Sequence, residues 1–74
     1  MSKLPRGVSG RKVEKALLRF GFRFHHQTGS HRVLVRDDPP KTVPVPDYPE
    51  IGPGLLKAII KQSGVSREEF LAAL

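Results

Sequence analysis

Three histidines, His25, His26 and His31, are the side chains of this sequence that exchange protons near neutral pH. An imidazole, with an unperturbed pKa of about 6.5, serves as a general acid or a general base. His31 directly follows Thr28-Gly29-Ser30, and glycine at the first loop position fits a two-residue hairpin turn because it tolerates a positive φ. The sequence therefore predicts that His31 lies beside a tight turn, a position suited to proton transfer on a phosphate ester.

Other kinds of catalytic site have less support in the sequence. Zinc and non-haem iron need several converging ligands. The chain has no cysteine, and His25 and His26 are expected to face opposite sides of a strand. Ser30 would need an orienting acid as well as His31 for nucleophilic catalysis, and none is evident, so we interpret it as a turn residue. The sequence predicts no metal and no cofactor.

A glycine-rich segment, Gly52-Pro53-Gly54, precedes a predicted helix, where free N–H groups favour an anion. The segment lacks the spacing of a P-loop, so nucleotide triphosphate binding is not predicted. We favour the simpler interpretation that these glycines supply flexibility. Lys57, one turn inside the helix, remains a candidate contact to a nucleic-acid phosphate.

General acid–base cleavage of RNA is the chemistry that these residues fit best. The ribose 2′-hydroxyl is the nucleophile, so the reaction needs a proton acceptor, a proton donor and charge stabilisation, but no metal. The imidazole of His31 can transfer either proton, and Arg32, Lys41 or Lys57 can stabilise the phosphorane. The alternative is a structural His31 that only caps the hairpin through a hydrogen bond.

The charge of the chain points to a polyanionic partner. Its 74 residues, enough for one domain (1–74), carry a formal net charge of +6. Up to Arg36 the sequence contains many basic residues but only one acidic residue, Glu14. Such one-sided charge attracts nucleic acid, although a surface that only keeps the protein in solution can have the same composition. No apolar run is long enough to span a membrane and no signal-peptide core follows Met1, so we expect a cytoplasmic location.

The first part of the chain predicts one amphipathic helix. Ser9 is the expected N-cap, the helix runs to about Phe20, and Gly21 ends it in a left-handed conformation. One apolar stripe and one basic stripe run along this helix. The apolar stripe consists of Val13, Ala16, Leu17 and Phe20, and the basic stripe of Lys12, Lys15 and Arg19.

A β-hairpin is predicted next, with Thr28 opposite His31, His26 opposite Val33, and Phe24 opposite Val35. In this register one face of the hairpin is apolar and comprises Phe22, Phe24, His26, His31, Val33 and Val35. The other face is basic and comprises Arg23, His25, Gln27, Arg32, Leu34 and Arg36. Leu34 does not suit the basic face, so the hairpin contains a β-bulge or the face assignment is wrong.

The second half predicts an edge strand and two helices. Residues 42–46 read T-V-P-V-P, and prolines at alternate positions restrict pairing to one side of that strand. A helix from about Pro53 or Gly54 to Ser63 follows, with its apolar face made of Leu55, Leu56, Ile59 and Ile60. Gly64 ends it, and Ser66 to Glu69 form a capping box that opens a short helix with Phe70, Leu71 and Leu74 inward.

The predicted element order is α-β-β-β-α with a short terminal helix. The fold class is therefore α+β, a two-layer sandwich in which helices cover one face of a three-stranded antiparallel sheet with strand 31–36 in its middle. Double-stranded-RNA-binding domains have the same architecture, which favours an RNA partner without establishing one.

Several blocks of the sequence together resemble the HicA family of bacterial toxins. They extend, in the family's order, from about Pro5 to Leu74. The blocks are 17–22 (LLRFGF), 26–31 (HQTGSH), 42–46 (TVPVP), 54–64 (GLLKAIIKQSG) and 66–70 (SREEF). The chain departs from the family pattern at Asp47-Tyr48, where many members have a histidine, and at Leu55, where many have threonine.

The resemblance implies a toxin that is a metal-independent endoribonuclease of bacterial mRNA, with His31 of the Gly-Ser-His motif as its catalytic residue. It also implies inhibition by a cognate HicB-type antitoxin that covers the active site and makes any contact with operator DNA. The residues predicted to bind the substrate are Gly29, Ser30, Arg32, Lys41 and Lys57. Whether His26 or Tyr48 assists His31 stays open, and so do two other functions, a non-catalytic RNA- or DNA-binding module and a protein-interaction domain.

Overall fold

The structure, a computed structural model that describes residues 4–74, is a two-layer α+β sandwich. Three antiparallel strands form one sheet in the order β1-β2-β3, so the predicted central strand and the α-β-β-β-α order are confirmed. The helices pack on one face of this sheet. The elements are α1 (Gly10–Leu18), β1 (Arg23–Thr28), β2 (His31–Asp37), β3 (Pro40–Pro46), α2 (Pro53–Ser63) and α3 (Arg67–Ala73).

The first helix begins where the sequence predicts. The Ser9 hydroxyl accepts a hydrogen bond from the Lys12 N–H at 3.1 Å, which satisfies one of the free donors of the first turn. The helix ends at Leu18, earlier than the predicted Phe20, and the chain then turns at Gly21 with a φ of +88°. Val13, Ala16 and Leu17 are fully buried, so the predicted apolar stripe faces the core.

A β-bulge at His25 changes the predicted register of the hairpin. His26 pairs with Val33 as predicted, but Phe24 pairs with Leu34 rather than Val35, so His25 is the extra residue between these pairs. An extra residue reverses the alternation of side chains on the bulged strand. Phe24 therefore shares a face with Leu34, and His26 remains on the other face.

The predicted assignment of the hairpin faces is wrong, because the helices cover the face that contains Leu34. Leu34 is fully buried, whereas Val33 and Val35 on the other side of β2 are only half-buried. Arg32 and Arg36 share the inward face with Leu34, where their long aliphatic stems pack and their guanidinium groups reach acceptors. The uncovered face, which we call the open face, comprises Arg23, His26, Thr28, His31, Val33, Val35, Asp37, Thr42 and Pro44.

The core lies between the inward side of the sheet and the helices. Leu56, Ile59 and Ile60 of α2 are buried as predicted, but Leu55 is 42% exposed, so its predicted burial is wrong. The buried stripe of α2 continues at the spacing i, i+3, i+4, i+7 to Ser63, and Leu55 lies to the side of that stripe. The remaining core residues of the sheet and the other helices include Phe22, Leu34, Val43, Val45 and Phe70.

Both caps of the second half are confirmed. Gly64 ends α2 with a φ of +76°, a conformation that costs glycine little. The Ser66 hydroxyl accepts a hydrogen bond from the Glu69 N–H at 3.2 Å, which is the N-cap bond of the predicted capping box, and it donates a second one to the Glu69 carboxylate. Phe70 is thereby fixed against the core with no exposed surface.

Gly10 is the point of closest approach between α1 and β3. Its N–H donates to the Tyr48 carbonyl oxygen at 2.9 Å, and a Cβ at this position would overlap with the carbonyl oxygen of Pro46. Only glycine allows the start of α1 to lie this close to the end of β3. Gly54, in the first turn of α2, has open space around its Cα and so provides a contrast.

We expect Gly10→Ala to lower the free energy of unfolding by about 1–3 kcal/mol, because the new methyl group pushes α1 away from Pro46. Gly54→Ala adds the same methyl group in open space, and it should leave stability unchanged or raise it by a few tenths of a kcal/mol. Urea unfolding of both variants measures the difference. Equal stability of the two variants would show that the close contact at Gly10 is unimportant.

Candidate active site

His31 is the first residue of β2 and is exposed to solvent. It pairs with Thr28 on one side and with Pro46 on the other, so the predicted two-residue loop is confirmed. Gly29 has a φ of +57°, and Ser30 does not have a positive φ, which matches the predicted type II′ turn. Within residues 4–74 the imidazole of His31 makes no hydrogen bond or ion pair that would occupy it.

The carbonyl groups of the turn are held, whereas its N–H groups are free. The Gln27 side chain donates to the Gly29 carbonyl oxygen at 3.1 Å, and the Asp47 N–H donates to the Ser30 carbonyl oxygen at 2.7 Å. The N–H groups of Gly29 and Ser30 have no hydrogen-bond partner in the described part of the chain. Two free donors beside an exposed imidazole form a local site that suits an anionic oxygen.

Asp47 connects the turn to the beginning of α1. Its carboxylate accepts two hydrogen bonds from the Arg11 guanidinium, at 3.0 and 3.2 Å, while its N–H holds the Ser30 carbonyl. The bond from Arg11 lowers the pKa of the Asp47 carboxyl below its usual value. Arg11 is thus a cation linked to the turn through one residue, and sequence reasoning missed it because the pair is far apart in the chain and leaves no local signal.

Arg32 is separated from His31, although the two residues are adjacent in sequence. Its Nε and Nη2 donate to the two carboxylate oxygens of Glu14 at 2.6 and 3.1 Å, on the inward face of the sheet. Its guanidinium also lies 4.2 Å from the centroid of the Phe24 ring. With its side chain only 17% exposed, Arg32 joins β2 to α1 and does not approach the open face.

The two lysines predicted to bind the substrate also lie away from the turn. Lys41 pairs with Arg36, five pairs along β2 from His31, which corresponds to about 17 Å. The Lys41 side chain instead lies beside Gly64, at the C-terminus of α2. Lys57 is exposed on α2, where it lines a groove of about 250 Å³ together with Lys61 and Arg67. Of the predicted substrate contacts, the structure brings only Gly29 and Ser30 together with His31.

The bulge brings His25 and His26 into contact, so the prediction that they point to opposite faces is wrong. Their Nδ1 atoms are 2.7 Å apart, and their rings meet edge to face with centroids 4.9 Å apart. The bulged residue leaves the regular alternation of the strand, which turns its side chain toward its neighbour. Within residues 4–74 no three or more His, Cys, Asp or Glu side chains are grouped so that they could hold a metal ion.

These features define a small basic α+β domain whose candidate site is an exposed imidazole on a rigid hairpin turn. The sequence model of a family described as the HicA toxin of bacterial toxin–antitoxin systems matches residues 10–65 of the chain. The protein therefore belongs to the HicA toxin family, and membership implies an antitoxin as its partner. No curated protein matches the sequence. Among residues 4–74 every helix is too short or too polar to cross a lipid bilayer.

The lowered pKa of Asp47 predicts a pH-dependent contribution to stability. A carboxyl group whose pKa is lower in the folded state stabilises the fold above the unfolded pKa of about 3.9 and loses this effect as the pH falls through the folded value. We expect Asp47→Asn to lower the Tm at pH 7 by at most a few degrees, as is usual for an exposed ion pair, and the difference from the wild type to shrink as the pH falls below the unfolded pKa of about 3.9. Thermal unfolding followed by circular dichroism at several pH values measures this.

Asp38→Asn is the matched control, because Asp38 is an exposed aspartate with no ion pair in the described residues. Its Tm should follow the wild type at every pH. A constant difference between Asp47→Asn and the wild type from pH 7 to pH 3 would contradict an electrostatic role for the Arg11–Asp47 pair.

Proposed function

We propose that the protein is the toxin of a type II toxin–antitoxin system and acts as a metal-independent endoribonuclease on mRNA. The observation that carries this proposal is the exposed imidazole of His31, unoccupied by any internal hydrogen bond and fixed on the Gly29-Ser30 turn, in a member of the HicA family. His31 acts as a general acid or base. The residue is available to a substrate because neither a helix nor a loop of the described chain covers it.

The chemistry requires three contributions at the scissile phosphate. The 2′-oxygen attacks phosphorus after losing its proton, the 5′-oxygen leaves after gaining one, and the phosphorane between them carries extra negative charge. His31 transfers a proton, and the free N–H groups of Gly29 and Ser30 donate hydrogen bonds to the charged oxygens. Arg11, whose side chain is 59% exposed, holds the turn through Asp47, and that carboxylate largely balances its charge. Arg32 stabilises β2 through its ion pair with Glu14 on the inward face of the sheet and does not contact the substrate.

Exposed cations on the helices bind the RNA beyond the scissile phosphate. Lys12, Lys15 and Arg19 are exposed on α1, and Lys57 and Lys61 are exposed on α2. Because Arg32 and Arg36 are bound to internal acceptors and Arg23 is paired with Asp37, the helix cations provide positive charge that is free to contact phosphates. A cognate HicB-type antitoxin would inhibit the toxin by covering the His31 turn, and operator DNA would be contacted through that antitoxin. The site of action is then the bacterial cytoplasm, where mRNA is found.

His31→Ala is expected to abolish RNA cleavage while the fold and RNA binding persist. The side chain is exposed, so its removal should change the Tm by little, whereas loss of a proton-transfer group lowers the cleavage rate by about 10²–10⁴-fold. Thermal unfolding measures the Tm. Cleavage of a labelled mRNA fragment in the presence of EDTA measures the rate, and growth of cells after induction shows whether toxicity is lost. Thr42→Ala, an exposed change on the open face away from the turn, is the control. Undiminished cleavage by His31→Ala would remove the proposed role.

A non-catalytic nucleic-acid-binding module is the second candidate, and the exposed basic stripe of α1 is the observation that favours it. Such a module binds RNA with a steep dependence on salt and forms no product. A wild-type protein that binds RNA in this way but leaves it intact, with EDTA or with Mg²⁺, would establish the second function in place of the first.

The basic stripe makes a quantitative prediction under either function. Replacing Lys12, Lys15 and Arg19 by alanine should remove up to three phosphate contacts and reduce the slope of log K against log salt by about 2 for single-stranded RNA. Fluorescence anisotropy between low and moderate salt measures the slope. The charge-conserving variant Lys12→Arg/Lys15→Arg should retain it. An unchanged slope in the alanine variant would place the RNA on another surface.

A further inference from the structure

His26 and His31 are neighbours on the open face of the sheet. His26 pairs with Val33 and Thr28 pairs with His31, so the two histidines occupy diagonal positions across β1 and β2. Diagonal residues of an antiparallel pair have Cα atoms about 7–8 Å apart, within reach of long and aromatic side chains. Both side chains are exposed. No described side chain lies between them in the pairing scheme, since Thr28 and Val33 complete the same four-residue patch.

This separation suits two groups that act on opposite sides of one phosphate. In an in-line displacement the attacking and leaving oxygens lie on opposite sides of phosphorus, and each exchanges its proton over a hydrogen bond of about 2.6–3.2 Å. Two proton-transfer nitrogens must then lie roughly 6–9 Å apart, with the phosphate between them. Diagonal residues with Cα atoms about 7–8 Å apart can direct their imidazoles to the two sides of one phosphate, whereas adjacent residues of one strand point to opposite faces.

The contact with His25 orients the ring of His26. The Nδ1 atoms of the two rings are 2.7 Å apart, so one of them donates a hydrogen bond and the other accepts it. With His26 as the donor, its Nδ1–H bond to His25 is the same whether or not His26 Nε2 carries a proton. The Nε2 atom is then the one that exchanges a proton with the substrate, and His25 is a positioning residue that fixes the tautomer.

We propose that His26 is a second catalytic residue of this protein, the general acid that acts together with His31 as the general base. This inference rests on the ribonuclease function proposed above and adds a residue to it. His31 accepts the proton of the 2′-hydroxyl while the bond from the 2′-oxygen to phosphorus forms. The bond from phosphorus to the 5′-oxygen breaks, and His26 Nε2 gives its proton to that oxygen. The products are a 2′,3′-cyclic phosphate and a 5′-hydroxyl, and the two imidazoles then exchange protons with water.

The charged groups that face His26 are few. On β1 they are His25 and Arg23, and on β2 they are His31 and Asp37, which forms an ion pair with Arg23 at 2.9 Å. The β3 residues of the open face, Thr42 and Pro44, carry no charge. Arg23 and Asp37 form an ion pair with each other, so the three imidazoles are the groups of this patch that are free to contact a substrate.

The test compares two RNA substrates in single-turnover reactions. The first is an oligonucleotide whose cleavage site has been mapped with the wild type, and the second has sulfur in place of the leaving 5′-oxygen at that site. A thiolate leaves without receiving a proton, so the second substrate needs no general acid. We expect His26→Ala to cleave the ordinary substrate about 10²–10³-fold more slowly than the wild type, but the sulfur-containing substrate at a rate within about threefold.

Three further variants complete the comparison. His31→Ala should lose cleavage of both substrates, because the base is needed in each case. His25→Ala should slow the ordinary substrate by about 3–10-fold, as expected of a positioning residue. The wild-type rate should fall at high pH as the general acid loses its proton, and this fall should be absent in His26→Ala. Thr42→Ala, on the same face, should behave as the wild type with both substrates.

The outcomes separate this inference from the proposed function. If His31→Ala is inactive but His26→Ala cleaves the ordinary substrate like the wild type, the inference about His26 fails and the ribonuclease function stands. An equal loss on both substrates in His26→Ala, at an unchanged Tm, also overturns it. If Tyr48→Phe shows the selective loss and His26→Ala does not, the general acid is Tyr48. If the wild-type protein cleaves no RNA when the cleavage site is mapped, the ribonuclease function itself fails.

Discussion

The β-bulge at His25 determines which side chains of the sheet meet the helices and which remain on the surface. Without the extra residue, β1 would pair Phe24 with Val35, and Phe24 would share a face with His26. With it, Phe24 moves to the side of Leu34, and His26 stays on the side of His31. The same residue brings the His25 ring within hydrogen-bonding distance of His26. One local insertion therefore defines both the packed face and the histidine patch.

The arginines of the sheet make the inward face of the hairpin both basic and packed. Arg32 forms a two-point ion pair with Glu14, and Arg36 donates to the carbonyl oxygens of Pro39 and Phe20 while lying 4.7 Å from the centroid of the Phe22 ring. A guanidinium has five donors and a long aliphatic stem, so it can lie beneath a helix if acceptors are available. The basic residues that give the chain its net charge of +6 thus include two groups, arginines that hold the sheet to the helices and exposed cations on the helices.

The turn that carries His31 is held by contacts that lie outside the hairpin. Asp47 holds the Ser30 carbonyl with its N–H and Arg11 with its carboxylate, and Gly10 lets α1 approach the end of β3 closely enough for this connection. A small domain has little core to hold its loops, so such links take the place of buried area. They fix the imidazole relative to the free N–H groups of the turn, which is the kind of preorganisation that acid–base chemistry on a phosphate requires.

Local patterns in the sequence determined most of the fold. Caps at Ser9 and Ser66, the glycine that ends α2, and the Gly29-Ser30 loop act over a few residues, and each was found where the sequence placed it. The position of His31 beside that turn followed from the same reasoning. The tertiary structure alone decided the faces of the hairpin and the partners of its cations. A bulge adds a single residue to a strand, and its only trace in the sequence was ambiguous, a leucine on a face predicted to be basic. The Arg32–Glu14 and Arg11–Asp47 pairs join residues that become neighbours only when the helices pack on the sheet.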